Sequence, residues 1–245
     1  MILLIGSHKD DLLYCSSLLS NKSEKPFIGG FELESGQIFS QEILFLSGVY
    51  TSVLSSALIS SILEKYFINL VIVMGRCYTT SSSFKPGEII ISKGYANLDV
   101  DQIDVANTML NTIPGYPPLI SVQRDLIGYL QDGLAKRTLS TGTIANIYST
   151  DSLNSLSVEK AKANKGILGS KEPFVVDSIS YGVALACHVH DIPCISLECV
   201  ERNIASSKKI DDYVNLLDRY VDMGKAVVYA IGDIGRNDVL RMRGA

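Results

Sequence analysis

Residues 70–92, with the sequence LVIVMGRCYTTSSSFKPGEIIIS, decide the fold class. The apolar run at 70–74 ends at Gly75, a pattern typical of a strand that is buried on both faces. The Lys-Pro-Gly sequence at 85–87 then predicts a turn into a second run of this kind at 88–92. These two buried strands predict a sheet that is covered on both sides.

Strand and helix patterns alternate on either side of this stretch. Residues 1–5 predict a short buried strand, 27–47 predict hairpin segments, and 51–66 have the apolar spacing of a helix that packs on the sheet. Further along the chain the patterns predict helices at 122–135, 158–163, 178–190 and 211–230, and strands at 137–140, 174–176 and 194–197.

This alternation predicts an α/β protein with three layers, α/β/α, around a central, mixed but largely parallel twisted sheet. The chain has 245 residues, of which 47% are hydrophobic, and this is enough to form one core. We therefore expect a single domain at 1–231, followed by a polar C-terminal tail at 232–245.

Composition excludes several classes of partner. The net charge of -4 and the pI near 5.4 come from acids and bases scattered along the sequence, so we expect neither a nucleic acid nor a membrane as a partner. Polar residues at 6–11 interrupt the apolar start of the chain before a signal-peptide core could form, which favours a cytoplasmic location. The five cysteines form no C-x-x-C pair, so we expect free thiols, no metal site and no cofactor.

Three further segments accompany residues 70–92. They are ILLIGSHKDDL at 2–12, FLSGVYTSVLSSALISSIL at 45–63 and FVVDSISYGVALACHVHDIPCISLECV at 174–200. Together the four segments resemble, in the same order, the motifs of the nucleoside phosphorylase and methylthioadenosine nucleosidase superfamily. The resemblance spans nearly the whole chain. It implies that family's fold, a purine nucleoside or nucleobase ligand, cleavage of an N-ribosyl bond and a homodimer.

Cleavage of an N-ribosyl bond builds positive charge on the sugar. The reaction therefore needs acceptors for the ribose hydroxyls, an acid for the departing base, and an activated water or phosphate. The resemblance assigns the acid that orients the water to Asp11, although a solvated or helix-capping aspartate is the alternative interpretation. It places Arg202 where the family has the acid that handles the base, and a one-residue slip would bring Glu201 there instead. Asp11, Glu201 and Arg202 are therefore the candidate catalytic residues.

The ligand-binding positions transfer less well. The first acid of the ribose-binding motif becomes Asp177, whereas the second becomes Ile179, which cannot accept a hydrogen bond; each buried ribose hydroxyl left without a partner costs about 1–3 kcal/mol. A family arginine falls on Glu198, and Arg76 replaces a small residue in the loop after Gly75. An ion pair between one of the arginines and Glu198 or Glu201 is the structural alternative. The candidate ligand-binding residues are Gly75, Arg76, Asp177, Ser178 and Glu198.

Tyrosines are candidates for an aromatic base pocket, although such residues also pack in cores. The candidates are Tyr78, Tyr95, Tyr116, Tyr148 and Tyr181.

Two functions follow from these substitutions. The first is an N-ribosyl hydrolase or phosphorylase with a rearranged site, whose activity is weak or lost. The alternative is a non-catalytic relative that binds a nucleoside, or that serves as a subunit-interaction module beside an active paralogue. The sequence leaves open the identity of the base, the choice between water and phosphate, and the oligomeric state.

Overall fold

The computed structural model describes residues 1–100, 111–152, 173–204 and 213–236. The strands are β1 (Ile2–Gly6), β2 (Ser20–Ile28), β3 (Phe31–Ile38), β4 (Gln41–Ser47), β5 (Leu70–Thr79), β6 (Ile89–Asn97), β7 (Ile120–Ser121), β8 (Gly142–Ser149), β9 (Phe174–Asp177) and β10 (Cys194–Asn203). The helices are α1 (Leu13–Ser17), α2 (Ser52–Lys65), α3 (Arg124–Arg137), α4 (Ser180–Val189) and α5 (Tyr213–Arg236), and a 3-10 turn covers Lys9–Leu12.

All the described strands belong to one 10-stranded sheet. In its centre β4, β1, β5 and β10 run parallel, and β3 and β2 extend it antiparallel at the edge. On the other side β10 pairs with β6, β6 with β8, β8 with β9, and β9 returns to β5. This part of the sheet is therefore a closed ring of strands. The sheet is mixed as predicted, but antiparallel pairs are as frequent as parallel ones among the described residues.

The two faces of β1 enter two different hydrophobic clusters. Ile2 and Leu4 pack with α1, α3 and α5, whereas Leu3 and Ile5 pack with α2 and α4. All four side chains are completely buried, and burial of each such side chain contributes about 1.5–3 kcal/mol. Helices thus cover both faces of the sheet, and the loops at the strand ends are left to form a site.

Most predicted elements are present with longer bounds. The strand predicted at 70–74 continues through Gly75 to Thr79 because β10 pairs with it over its whole length. The helix predicted at 211–230 is α5, which ends at Arg236 and buries Ile234, so helical structure extends beyond the domain boundary predicted at 231. The helix predicted at 158–163, and residues 237–245 of the predicted tail, lie outside the described residues. Within the described part of the chain, no helix is both long and apolar enough to cross a membrane.

The strand predicted at 137–140 is wrong. Arg137 ends α3, and Thr138 takes up the following turn, since its hydroxyl donates to the carbonyl of Leu134 and accepts from the backbone N–H of Ser140. Leu139 is fully exposed. The strand begins only at Gly142, where the chain pairs with β6.

Candidate functional site

Several strands end at one small pocket. The loop after β1 supplies Ser7 and His8, and the later parts of β5 and β10 reach its wall. Because β1, β5 and β10 are parallel neighbours, their carboxyl ends meet at one edge of the sheet, where open α/β sheets bind ligands. The pocket has a volume of about 140 Å³ and is lined by Ser7, His8, Tyr50, Gly75, Arg76, Tyr78, Asp177, Ser178, Ile179 and Glu198.

All the predicted ligand-binding residues, Gly75, Arg76, Asp177, Ser178 and Glu198, lie in this lining. None of the predicted catalytic residues does, but Asp11 and Glu201 both contact Arg76 from outside the pocket. A larger groove of about 610 Å³ lies between the 3-10 turn and β2–β4, and it contains none of the predicted residues. The smaller pocket is therefore the candidate site, because among the described cavities it alone is lined by buried carboxyl groups.

Asp11 lies directly beneath the pocket. Its Oδ2 accepts hydrogen bonds from the Ser7 hydroxyl at 2.9 Å and from the backbone N–H of His8 at 2.7 Å. Its Oδ1 is 3.5 Å from Nη2 of Arg76, and none of the side chain is exposed. Burial raises the pKa of Asp11, although the hydrogen bond from His8 and the charge of Arg76 oppose the shift. The hydrogen bond from His8 caps the 3-10 turn, so the capping interpretation of Asp11 is confirmed and the solvated one is wrong.

The close approach beneath the pocket requires glycine at the end of β1. A Cβ atom on Gly6 would lie 2.8 Å from the carbonyl oxygen of His8, too close for any other residue. A Cβ atom on Gly75, within β5, would lie 3.7 Å from Oδ2 of Asp11, which is an ordinary van der Waals distance. Gly6 therefore permits the loop that encloses Asp11.

Arg76 and Tyr78 form a polar cluster at one side of the pocket. Nη1 of Arg76 is 3.9 Å from Oε2 of Glu201, which also accepts a hydrogen bond from the Tyr78 hydroxyl at 3.1 Å. The guanidinium of Arg202 lies over the Tyr78 ring, 5.5 Å from its centroid. Burial raises the pKa of Tyr78 to about 12, with a further contribution from Glu201, so the phenol is a neutral donor. The predicted ion pair is present between Arg76 and Glu201. Arg202 contacts the ring of Tyr78 but is not itself part of the pocket lining.

Asp177 and Glu198 form the opposite wall. Both are almost fully buried, and burial is the main cause that raises the pKa of each carboxyl. The charge of Asp177 raises the pKa of Glu198 further. The backbone N–H groups of Ile179 and Ser180 donate to Oδ2 of Asp177 at 3.1 and 2.7 Å, at the start of α4.

Five lining residues were not among the predicted ligand-binding set: Ser7, His8, Tyr50, Tyr78 and Ile179. The position of Ser7 and His8 after a strand that ends in glycine was the available signal. Tyr78 is the one predicted base-pocket tyrosine in the lining. Tyr95, Tyr148 and Tyr181 are buried in the core, and Tyr116 packs edge-on against His188.

The chain is similar to known proteins over most of its length. The 5'-methylthioadenosine/S-adenosylhomocysteine nucleosidase of Bacillus cytotoxicus is 20% identical over 218 residues, which cover 89% of this chain and 92% of the relative. No protein-family model matches the chain.

Solved structures show the fold. The nucleosidase of the same name from Campylobacter jejuni superposes with a TM-score of 0.84 at 15% identity and covers 95% of this chain and 98% of its own. The corresponding enzyme from Colwellia psychrerythraea, in complex with adenine, has a TM-score of 0.78 at 15% identity and covers 94% of each chain. These findings confirm the predicted resemblance: the chain is a divergent relative of the 5'-methylthioadenosine/S-adenosylhomocysteine nucleosidases and has their nucleoside phosphorylase-like fold.

Proposed function

We propose that this chain binds a purine nucleobase, or a nucleoside through its base, in the pocket between Arg76 and Glu198, and that cleavage of N-ribosyl bonds is weak or lost. The curated relatives are nucleosidases, and the Colwellia enzyme holds adenine, which supports a ligand of this class. Every ligand-binding residue that the resemblance predicts lies in the lining of this pocket.

The state of Asp11 is the observation that carries the loss of activity. A carboxylate that activates water must present a free oxygen to it. Here the Asp11 side chain has no exposed surface, Oδ2 accepts two hydrogen bonds, and Arg76 lies against Oδ1. Asp11 therefore stabilises the loop and Arg76 instead of orienting a nucleophile.

The sugar side of the pocket supports the same conclusion. Ile179 lies in the lining where the resemblance expects a carboxylate for the ribose hydroxyls. The volume of about 140 Å³ is also below the range of about 300–1,000 Å³ of pockets that enclose larger ligands. The pocket favours a flat base over a complete nucleoside.

Calorimetric titration tests this proposal. Wild-type protein should bind adenine saturably and bind 5'-methylthioadenosine at least about tenfold more weakly, since Tyr78 narrows the pocket. Tyr78→Ala should reduce the difference between the two affinities, because it removes an aromatic ring from the pocket lining. Tyr229→Ala is the matched control, as its ring lies over Lys136 and Arg137 on the helical surface and should leave both affinities unchanged. Preferred binding of 5'-methylthioadenosine by the wild type would contradict the proposal.

A rearranged nucleosidase is the second candidate. One observation favours it: Glu198 lines the pocket with a raised pKa, as a general acid for a departing base requires. Release of free adenine from 5'-methylthioadenosine distinguishes this candidate from a binding protein.

We also propose a homodimer and a cytoplasmic location. Tyr50 and Val53, beside the pocket, are 49% and 75% exposed, and apolar side chains of this kind favour an interface between subunits. All five cysteines are free thiols, which suits a reducing compartment.

A further inference from the structure

Two carboxyl groups, Asp177 and Glu198, lie together in the pocket wall without a cation. Asp177 is 2% exposed and Glu198 is 1% exposed. No lysine, arginine or histidine of the described residues forms an ion pair with either of them. Two neighbouring buried carboxyls cannot both be ionised at moderate cost, so the pair holds one proton at neutral pH.

The hydrogen bonds decide which partner is charged. Asp177 accepts from the Ser149 hydroxyl on Oδ1 and from the backbone N–H groups of Ile179 and Ser180 on Oδ2. These three donors, two of them at the N-terminus of α4, stabilise a negative charge. Asp177 is therefore the ionised member, and the proton belongs to Glu198.

The position of the proton on Glu198 follows from its own contacts. Oε1 accepts a hydrogen bond from the Ser180 hydroxyl at 2.7 Å, so the proton is on Oε2. Ser180 is held in place by a chain of buried hydroxyls, since its oxygen is 3.1 Å from Oγ of Ser196, which is 3.1 Å from the Tyr95 hydroxyl. Oε2 receives no hydrogen bond from the protein.

The strands around Glu198 place three other side chains near it. Asp177 approaches from the end of β9 and Cys77 from β5, where burial raises the pKa of the Cys77 thiol and keeps it protonated. Strand β6 presents the apolar Ile90 in register with Glu198. Oε2 has no hydrogen-bond partner among the described residues, and the oxygens of Asp177 already receive three hydrogen bonds.

We propose that neutral Glu198 is the specificity-determining donor of the pocket, which turns its Oε2–H towards a lone pair on a neutral heterocyclic base. This inference rests on the proposed function and extends it by naming the residue and the ligand chemistry. The ligand must present an unprotonated ring nitrogen or a carbonyl oxygen. An anion is a poor ligand, because Arg76 in the lining is already paired with Asp11 and Glu201 and the pocket wall carries the charge of Asp177.

Two variants of matched size test the donor role. Glu198→Gln keeps a donor and an acceptor at the same places without a titratable proton, so adenine affinity should stay within about threefold of the wild type. Glu198→Leu keeps the volume but removes the donor, and adenine affinity should fall about tenfold or more. Equal affinity of the Leu variant and the wild type would overturn the proposal.

Infrared difference spectroscopy at neutral pH gives a readout that a structural role would not move. Wild-type protein should show the C=O stretching band of a protonated carboxylic acid, this band should shift when adenine binds, and it should be absent from Glu198→Gln. If the wild type lacks the band, or if the band does not shift when adenine binds, the inference about Glu198 is overturned while the proposed function stands. A failure of adenine to bind the wild type at all would overturn the proposed function and the ligand role of Glu198 together, while the band would still decide whether Glu198 is neutral.

Discussion

Asp11 stabilises the loop after β1 through contacts to both of its carboxylate oxygens. The Ser7 hydroxyl, the His8 backbone and Arg76 all direct donors at its carboxylate. In Asp11→Asn the amide has one acceptor oxygen, so at least one of these donors faces an N–H group.

We expect Asp11→Asn to lower the free energy of unfolding by about 1–3 kcal/mol. Asp132→Asn is the control: Asp132 pairs with Lys136 at 2.9 Å on α3, but both side chains are more than half exposed, and the change should be below about 1 kcal/mol. Urea unfolding of the two variants checks the difference. An Asp11→Asn protein as stable as the wild type would mean that the carboxylate is free to act elsewhere.

Residue positions were easier to predict than residue contacts. The resemblance placed Gly75, Arg76 and Glu198 in the ligand-binding set, and they meet because parallel strands bring their carboxyl ends to one edge. The ion pair of Arg76 with Asp11 could not be predicted, nor could the choice of Glu201 over Glu198 as its other partner, because long side chains choose among rotamers according to packing that only the folded chain defines. The same limit applies to Tyr78, whose place in the pocket depends on Glu201 and Arg202.

At the level of elements, the contact between α2 and α4 positions the pocket wall. A Cβ atom on Gly182 would lie 2.1 Å from the carbonyl oxygen of Ser52 and 2.3 Å from Oγ of Ser55, so the two helices touch at this glycine. The Ser55 hydroxyl in turn donates to the carbonyl of Ile179, in the pocket lining.

Gly182→Ala should push these helices apart and destabilise the protein by about 1–3 kcal/mol. Gly128→Ala on α3 is the matched control, because nothing lies within 4 Å of the added Cβ, and it should instead stabilise the protein by about 0.5–1 kcal/mol. Thermal or urea unfolding should give a lower free energy of unfolding than the wild type for Gly182→Ala and a higher one for Gly128→Ala. Equal stabilities would show that α2 and α4 are not in this contact.

Elements were predictable where one apolar pattern dominates. This pattern is a helical spacing in α2 and a continuous apolar run at the start of β5. The failure at 137–140 has a local cause: the Thr138 hydroxyl donates to the carbonyl of Leu134 and accepts from the backbone N–H of Ser140 at the end of α3, which a strand pattern does not reveal. The strand predicted at 70–74 was too short, because pairing with β10, which lies far away in the sequence, extends β5 to Thr79.

For the whole molecule, the sequence predicted the α/β class but not the closure of the sheet. Alternating patterns give the order of elements, whereas the pairing of β9 with β5 and of β10 with β6 joins segments far apart in the chain. This closure brings the end of β9, with Asp177, to the wall that β10 forms with Glu198. The substitutions at Ile179 and Glu198 thus meet in one pocket, with Asp11 next to it, and the proposed loss of activity depends on that convergence.

Release of adenine from 5'-methylthioadenosine is the reaction that decides whether this chain has lost nucleosidase activity. Purified wild-type protein, at a concentration close to that of the substrate, should release no adenine above the rate of the buffer alone over several hours, as followed by chromatography. Progressive release of adenine by the wild type that Asp11→Asn abolishes would contradict the account, because it would show that Asp11 activates water despite its burial beneath Arg76.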